Sequence, residues 1–137
     1  MLDTLGNFEY QTIMLSGARI LIVEDEPLIA FDLLDLISNA GANPVGPAFR
    51  LPEARKLVSE NHLDAALLDI DLGEERVWPL AAELQAHGTP FAFISGQCAG
   101  EDLPEEFAMA ECLEKPASPQ KIIDLAIELC GNRVANG

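Results

Sequence analysis

Short runs of apolar residues alternate along the chain with segments whose apolar residues recur at helical spacing. The apolar runs predict five strands, at residues 19–23, 45–49, 64–70, 90–94 and 111–114. The other segments predict helices at residues 28–40, 50–62, 78–87 and 118–130. Residues 97–108 take the place of a further helix, although their helical pattern is poor. This alternation of strands and helices indicates parallel crossovers in an α/β domain.

The strand composition also predicts the order of the sheet. The three most apolar runs are continuous, as in strands buried on both faces, whereas Gly46 and Pro47 interrupt the run at 45–49 and favour an edge position. Right-handed crossovers then favour a doubly wound, five-stranded parallel sheet of order 2-1-3-4-5, which is the flavodoxin-like arrangement. We expect residues 18–131 to form this domain, between an N-terminal tail at 1–17 and a C-terminal tail at 132–137.

Length and charge narrow the class of protein. The 137 residues suffice for one domain, and 23 Asp and Glu against eight Lys and Arg give a formal net charge of -15. Such a charge repels phosphate backbones and anionic membrane surfaces. No apolar run approaches the roughly 18 residues of a membrane span. We therefore expect a cytoplasmic protein that binds neither nucleic acid nor membrane.

The three cysteines, Cys98, Cys112 and Cys130, indicate no special chemistry. Their number is odd, and they share no spacing typical of a metal site. The sequence therefore predicts free thiols, and neither a disulfide framework nor a zinc site.

Polar residues follow four of the predicted strands. These are Glu24 and Asp25, Asp69, Ser95 and Lys115. Ligands of open α/β sheets bind beyond the carboxyl ends of the strands, where the strand order reverses, so Asp25 and Asp69 should face each other there. Clustered carboxylates attract a cation, and a few oxygen ligands with room for water favour Mg²⁺ over calcium.

These residues lie within longer motifs that resemble a known family. The motifs are Ile-Leu-Ile-Val-Glu24-Asp25-Glu26-Pro27, Leu-Leu-Asp69-Ile-Asp71-Leu, Ile94-Ser95-Gly96 and Glu114-Lys115-Pro116. In order and spacing they resemble the receiver domain of bacterial two-component response regulators, the CheY-like domain, over about residues 18–131. The segment from Pro90 to Gly96 resembles a receiver subset whose fourth strand is rich in Phe.

The resemblance implies a role for each matching residue. Asp69 would be phosphorylated by a sensor histidine kinase or a histidine phosphotransfer protein. Mg²⁺ would be held by Glu24, Asp25, Asp69 and the backbone carbonyl of Asp71. Ser95 and Lys115 would each contact a phosphoryl oxygen, and the Lys115–Pro116 peptide bond would be cis.

One position departs from the commonest receiver pattern. Cys112 stands three residues before Lys115, where the family usually has Tyr or Phe. Without that ring, we expect phosphorylation to be reported by a shift of residues 95–108. Gly96 supplies backbone freedom there, and the acidic residues of the segment repel one another.

The resemblance implies a single-domain response regulator in a phosphorelay, which signals by protein–protein interaction or phosphate shuttling. Such a protein is not an enzyme beyond catalysing its own phosphorylation and dephosphorylation. Two alternatives remain: a receiver-like scaffold that works without phosphorylation, and a small phosphohydrolase of the haloacid dehalogenase type that uses Asp69 and Asp71. The phosphohydrolase is disfavoured because its motif normally follows the first strand.

Apolar residues on two helices predict where a kinase or an output protein binds. On the last helix the polar residues form a narrow stripe, which leaves an apolar arc wider than packing on a sheet requires. On the first helix, Leu28 projects among polar residues. Leu28, Ile123 and Ile127 are therefore the candidate partner-surface residues, and the same surface could serve a homodimer.

Overall fold

The central sheet has five parallel strands in the predicted order. The computed structural model describes residues 4–96, 98 and 103–136, and the side chains of residues 9–96, 98 and 103–131. The strands are β1 (Arg19–Val23), β2 (Asn43–Ala48), β3 (Ala65–Leu68), the short β4 (Asp71–Leu72) and β5 (Glu75–Arg76), β6 (Phe91–Ser95) and β7 (Cys112–Glu114). The main sheet runs β2-β1-β3-β6-β7, with every pairing parallel. The flavodoxin-like topology is therefore confirmed.

Helices cover both faces of this sheet. They are α1 (Thr4–Leu15), α2 (Pro27–Asn39), α3 (Leu51–Glu60), α4 (Trp78–Ala86) and α5 (Pro119–Asn136). Leu21 and Leu68 pack in the core on the side of α3 and α4, whereas Ile20 and Leu67 pack with α2 and α5. Because neighbouring residues of one strand enter opposite cores, the strands read as continuous apolar runs.

Residues 4–15 form a helix, where the sequence analysis expects a tail. α1 packs against α5, and Leu15 is fully buried in the core that also contains Ile37 and Ile122. The Gly17 N–H donates to the Gly41 carbonyl at 3.1 Å and so ties the end of α1 to the turn after α2. An isolated helix of 12 residues, such as α1, is marginally stable in water. Its stability therefore depends on contacts that are distant in sequence.

The last helix is also longer than predicted. α5 continues through Gly131 to Asn136, where a C-terminal tail was expected. Cys130, the expected last residue of the helix, is fully buried. None of the helices in the described part of the chain is long and apolar enough to span a membrane.

The segment after β6 lacks the weakly predicted long helix in its described part. Residues 97 and 99–102 lie outside the described residues, and the remainder contains one 3-10 turn, Glu105–Phe107. The buried ring of Phe107 stacks on Trp78, with ring centroids 5.9 Å apart, and contacts the edge of Phe93. The Phe107 ring, together with the side chains of Leu103 and Ala110, therefore attaches this segment to the core.

The prediction of three free thiols is wrong for two of them. Cys98 and Cys112 form a disulfide, whereas Cys130 keeps its thiol and is buried. The paired cysteines are 14 residues apart. Their proximity arises because β6 and β7 pair side by side, which places the chain after β6 next to β7. Spacing along the sequence carries no signal of that pairing.

The edge strand β2 is irregular, as its Gly and Pro suggest. Gly46 has a φ of 103°, and a Cβ at this position would lie 2.9 Å from the Ile22 carbonyl oxygen. The pairing of β2 with β1 shifts register between Leu21 and Val23. Beyond this shift, the Glu24 N–H donates to the Ala48 carbonyl at 3.0 Å. The edge strand therefore helps to position the first acidic residue of the candidate site.

Candidate functional site

The polar residues predicted at the strand ends meet at one edge of the sheet. Glu24 follows β1, Asp69 follows β3, Ser95 ends β6 and Lys115 follows β7. Backbone hydrogen bonds hold the edge together. Asp69 N–H donates to the Val23 carbonyl at 2.8 Å, and Lys115 N–H donates to the Ser95 carbonyl at 2.7 Å. The Lys115–Pro116 peptide bond is cis, as expected.

Three carboxylates form an acidic cluster at this edge. Glu24 and Asp69 are buried, Asp25 is half-buried, and one oxygen from each lies within 4.8 Å of the others. Oxygen ligands at such distances, with one ligand reaching toward solvent, suit a hard divalent cation that keeps part of its water shell. The donor set therefore fits Mg²⁺.

Backbone amides orient two of these carboxylates. Asp25 Oδ2 accepts a hydrogen bond from Gly73 N–H at 3.2 Å, and Glu24 Oε2 accepts one from Glu26 N–H at 3.1 Å. Gly73 lies in the turn between β4 and β5, a hairpin that sequence reasoning treated as a loop, and its φ is 70°. A positive φ favours glycine, so Gly73 itself is the feature of the sequence that could have indicated the turn.

Asp71 lies at the start of the same hairpin. Its exposed carboxylate pairs with Arg76 Nε at 2.9 Å, across the β4–β5 pair. The guanidinium of Arg76 also lies over the Trp78 ring, 5.2 Å from its centroid. Sequence reasoning missed Arg76, because the hairpin that brings it to Asp71 was not predicted.

Lys115 reaches the acidic cluster from β7. Its Nζ lies 2.6 Å from Glu24 Oε1 and 3.5 Å from Asp69 Oδ2. The ammonium group is thus beside the predicted phosphorylated carboxylate. Ser95, the other predicted phosphoryl contact, is buried, with 4% of its surface exposed.

The cluster shifts the proton affinity of its members. Burial raises the pKa of Asp69 to about 8, helped by a hydrogen bond with Glu24 and by the charge of Glu24, and opposed by Lys115. Burial would also raise the pKa of Asp25, but hydrogen bonds from Gly73 N–H and with Asp69 lower it overall. Burial lowers the pKa of Lys115, yet its contacts with Glu24 and Asp69 outweigh burial and raise it. A divalent cation bound at the cluster would oppose the effect of burial and lower the pKa of Asp69.

The three candidate partner-surface residues differ in exposure. Leu28 is 84% exposed and Ile127 is half-buried, but Ile123 is 4% exposed and packs in the core. Ile123 is therefore not a surface residue, because the wide apolar arc of α5 packs against α1 as well as the sheet. Phe31, which was not predicted, is 50% exposed on the same helix as Leu28.

An apolar groove of about 660 Å³ lies between α2 and the segment from Lys115 to Ile122. Ile29 and Leu33 of α2 line one side, and Pro116 and Ile122 line the other. Lys115 also lines the groove, so the groove adjoins the acidic cluster.

Comparisons with known proteins agree with this geometry. Phyllosphere-induced regulator PhyR of Methylorubrum extorquens is 34% identical over an alignment of 115 residues, and the match covers 77% of this chain and 41% of that protein. The chain thus spans about two fifths of the length of this relative. SdrG from Sphingomonas melonis Fr1 is 36% identical, with a TM-score of 0.70 over 85% of this chain and 98% of that one.

A third likeness concerns the fold alone. A variant of the anti-anti-sigma factor PhyR from Bartonella quintana has a TM-score of 0.76 at 23% identity, over 97% of this chain and 56% of that one.

A family model described as the response regulator receiver domain matches residues 20–127. The match spans β1 to α5 and includes the acidic cluster, Ser95 and Lys115. The chain belongs to the response regulator receiver domain family.

Proposed function

We propose that this chain is a phosphorylation-controlled receiver in which Asp69 accepts a phosphoryl group from a sensor histidine kinase or a histidine phosphotransfer protein. The observation that carries this proposal is the position of Asp69. Its carboxylate lies among Glu24 and Asp25 and is 3.5 Å from the ammonium of Lys115. The Asp69 oxygen that would attack phosphorus therefore lies near two carboxylates that can bind a cation and an ammonium group that can bind an anion.

The chain's residues divide the phosphoryl transfer among them. An Asp69 oxygen attacks phosphorus, an acyl-phosphate bond forms, and the phosphorus–nitrogen bond of the donor histidine breaks. Glu24, Asp25, Asp69 and the Asp71 backbone carbonyl would hold Mg²⁺, which supplies positive charge for the transferred oxygens. Lys115, whose ammonium is already beside Asp69, and Ser95 would each contact one phosphoryl oxygen and stabilise the charge that develops there.

The output is a protein contact that depends on phosphorylation. The net charge of -15 disfavours nucleic acid as the partner. Leu28 and the apolar groove that Lys115 lines offer the kinase or phosphotransfer protein a surface. An output by protein contact also fits the description of the Bartonella quintana PhyR as an anti-anti-sigma factor. The place of action is the cytoplasm, where two-component phosphotransfer occurs.

Phosphorylation of the intact protein tests the proposal directly. Wild type, Asp69→Asn and Asp71→Asn are incubated with acetyl phosphate and Mg²⁺, and the intact mass is recorded over time. We expect a phosphoryl adduct on wild type and on Asp71→Asn, and no adduct on Asp69→Asn. Asp71→Asn is the matched control, because it removes an exposed carboxylate nearby and keeps the backbone carbonyl.

The same three proteins distinguish the two alternatives when phosphate release from phosphoesters is also measured. A phosphohydrolase that used Asp71 as its acid would turn over phosphoesters rapidly and would lose turnover in Asp71→Asn. A scaffold that works without phosphorylation would give no adduct on any of the three proteins, and this outcome would refute the proposed function.

A further inference from the structure

The Cys98–Cys112 disulfide lies beside Ser95, the residue proposed to contact a phosphoryl oxygen. Cys98 stands three residues after Ser95, and its Sγ lies 4.0 Å from the Ser95 carbonyl oxygen. Cys112 lies opposite Phe93 in the β6–β7 register, and the Cα atoms of the two cysteines are 5.8 Å apart. The bond thus connects the chain leaving β6 to the neighbouring strand.

The strand β7 gives this crosslink a fixed end. Phe93 N–H donates to the Glu111 carbonyl at 2.8 Å, and Lys115 N–H donates to the Ser95 carbonyl at 2.7 Å, so hydrogen bonds hold β7 before and after Cys112. Two residues separate Ser95 from Cys98. Because so short a stretch has little reach, the crosslink limits how far the chain after Ser95 can move.

Signalling as proposed above needs that movement, since a phosphoryl group on Asp69 would draw Ser95 toward itself and shift the segment that follows. We propose that Cys98 and Cys112 form a reversible redox site that controls this response. The disulfide form holds the segment after Ser95, and the dithiol form releases it. This inference rests on the proposed function, and it fits the proposed cytoplasmic location, where disulfides are usually transient and redox-sensing.

The chemistry requires a peroxide as oxidant and a dithiol as reductant. The thiolate of one cysteine attacks hydrogen peroxide, the oxygen–oxygen bond breaks, and a sulfenic acid and water form. The second thiolate attacks the sulfenic sulfur, forms the sulfur–sulfur bond and releases a second water. Two electrons thus pass from the two thiols to the peroxide. A dithiol returns them in two exchange steps and restores both thiols.

Exposure favours this pair over the third cysteine. Cys98 and Cys112 are both half-buried, so small oxidants and reductants can reach the sulfur atoms. Cys130, a residue of α5, is fully buried in the core between this helix and the sheet. Cys130→Ser therefore provides a matched control that removes a thiol and leaves the pair intact.

The test compares oxidised and reduced forms of the whole chain. Wild type, Cys98→Ser, Cys112→Ser and Cys130→Ser are treated with hydrogen peroxide or dithiothreitol, the reagent is removed, and the cysteine state is read by alkylation and mass. Each form then receives acetyl phosphate with Mg²⁺ for adduct measurement. In parallel, amide hydrogen exchange is recorded with and without beryllofluoride, which mimics the phosphoryl group.

We expect beryllofluoride to change exchange in residues 103–112 by at least about threefold in reduced wild type, and by much less in the oxidised form. Cys98→Ser and Cys112→Ser should respond like reduced wild type after either treatment, and Cys130→Ser should behave as wild type. A disulfide that fails to form, or equal responses in both forms while the Asp69 adduct accumulates, would overturn the redox inference alone. No adduct in either form would instead overturn the proposed function.

Discussion

The ammonium of Lys115 forms an ion pair with Glu24, with Nζ 2.6 Å from Oε1. Glu24 is also a member of the acidic cluster that fits Mg²⁺. The lysine and the metal ion should therefore interact with the same buried carboxylate. Because the two compete for this carboxylate, removing the lysine and removing the carboxylate should change the affinity for Mg²⁺ in opposite directions.

Lys115→Ala should bind Mg²⁺ more tightly than wild type, by about threefold to tenfold, because a positive charge leaves the cluster. Glu24→Gln should bind it at least about tenfold more weakly, because a ligand is lost. Titration calorimetry measures both affinities. Lys121→Ala and Glu26→Gln are controls, since both side chains are exposed. Weaker Mg²⁺ binding by Lys115→Ala would contradict the competition.

The raised pKa of Asp69 predicts how stability depends on pH without Mg²⁺. The folded-state pKa is about 8, against an ordinary value of 3.8, so the folded protein holds a proton that the unfolded chain has lost. The contribution of Asp69 to the free energy of unfolding should therefore fall as the pH rises from about 4 to about 8. Each pKa unit is worth about 1.4 kcal/mol.

Asp69→Asn should remove this dependence. We expect the variant to exceed wild type in stability by a few kcal/mol at pH 8, and by little near pH 4, when urea unfolding is followed in EDTA. Added Mg²⁺ should narrow the gap at pH 8 by stabilising wild type. Asp35→Asn, an exposed carboxylate on α2, is the control and should follow wild type. If the free energies of unfolding of wild type and Asp69→Asn changed in parallel with pH, a raised pKa of Asp69 would be ruled out.

Sequence reasoning predicted the sheet and the site, because both depend on local patterns. Strand order follows from which runs are continuous, and Asp69, Ser95 and Lys115 reach one edge because parallel strands end together. The disulfide and α1 were missed for a common reason. Cys98 meets Cys112, and Leu15 meets α5, through contacts between segments that are far apart in sequence, and no local pattern records such contacts.

Substitutions at Leu28 and Ile123 should have different effects. The first should weaken kinase binding, and the second should destabilise the fold. Leu28→Lys places a charge on an 84% exposed position, so the free energy of unfolding should change by less than about 0.5 kcal/mol. Phosphotransfer from a kinase should nevertheless slow if the surface near the apolar groove binds it. Ile123→Lys buries a charge in the core and should destabilise the fold by more than about 3 kcal/mol. Unaltered phosphotransfer to Leu28→Lys would exclude Leu28 from the interface.

Helix α1 should contribute to stability through Leu15. Leu15→Ala removes a fully buried side chain and should lower the free energy of unfolding by about 2 to 5 kcal/mol. Ile13→Ala, on the same helix but 65% exposed, should change it by less than about 0.5 kcal/mol. Urea denaturation compares the two variants. Equal, small effects would mean that α1 does not belong to the folded domain in solution.

Trp78 is the single tryptophan of the chain, and its ring stacks on Phe107 in the segment that follows β6. Its edge contacts Phe93, and the Arg76 guanidinium lies over its face. Indole emission is sensitive to such neighbours, so displacement of Phe107 would change the intensity or wavelength of fluorescence. The molecule therefore contains its own optical probe of the segment around Phe107. The movement proposed for this segment on phosphorylation can be followed in real time on unlabelled protein.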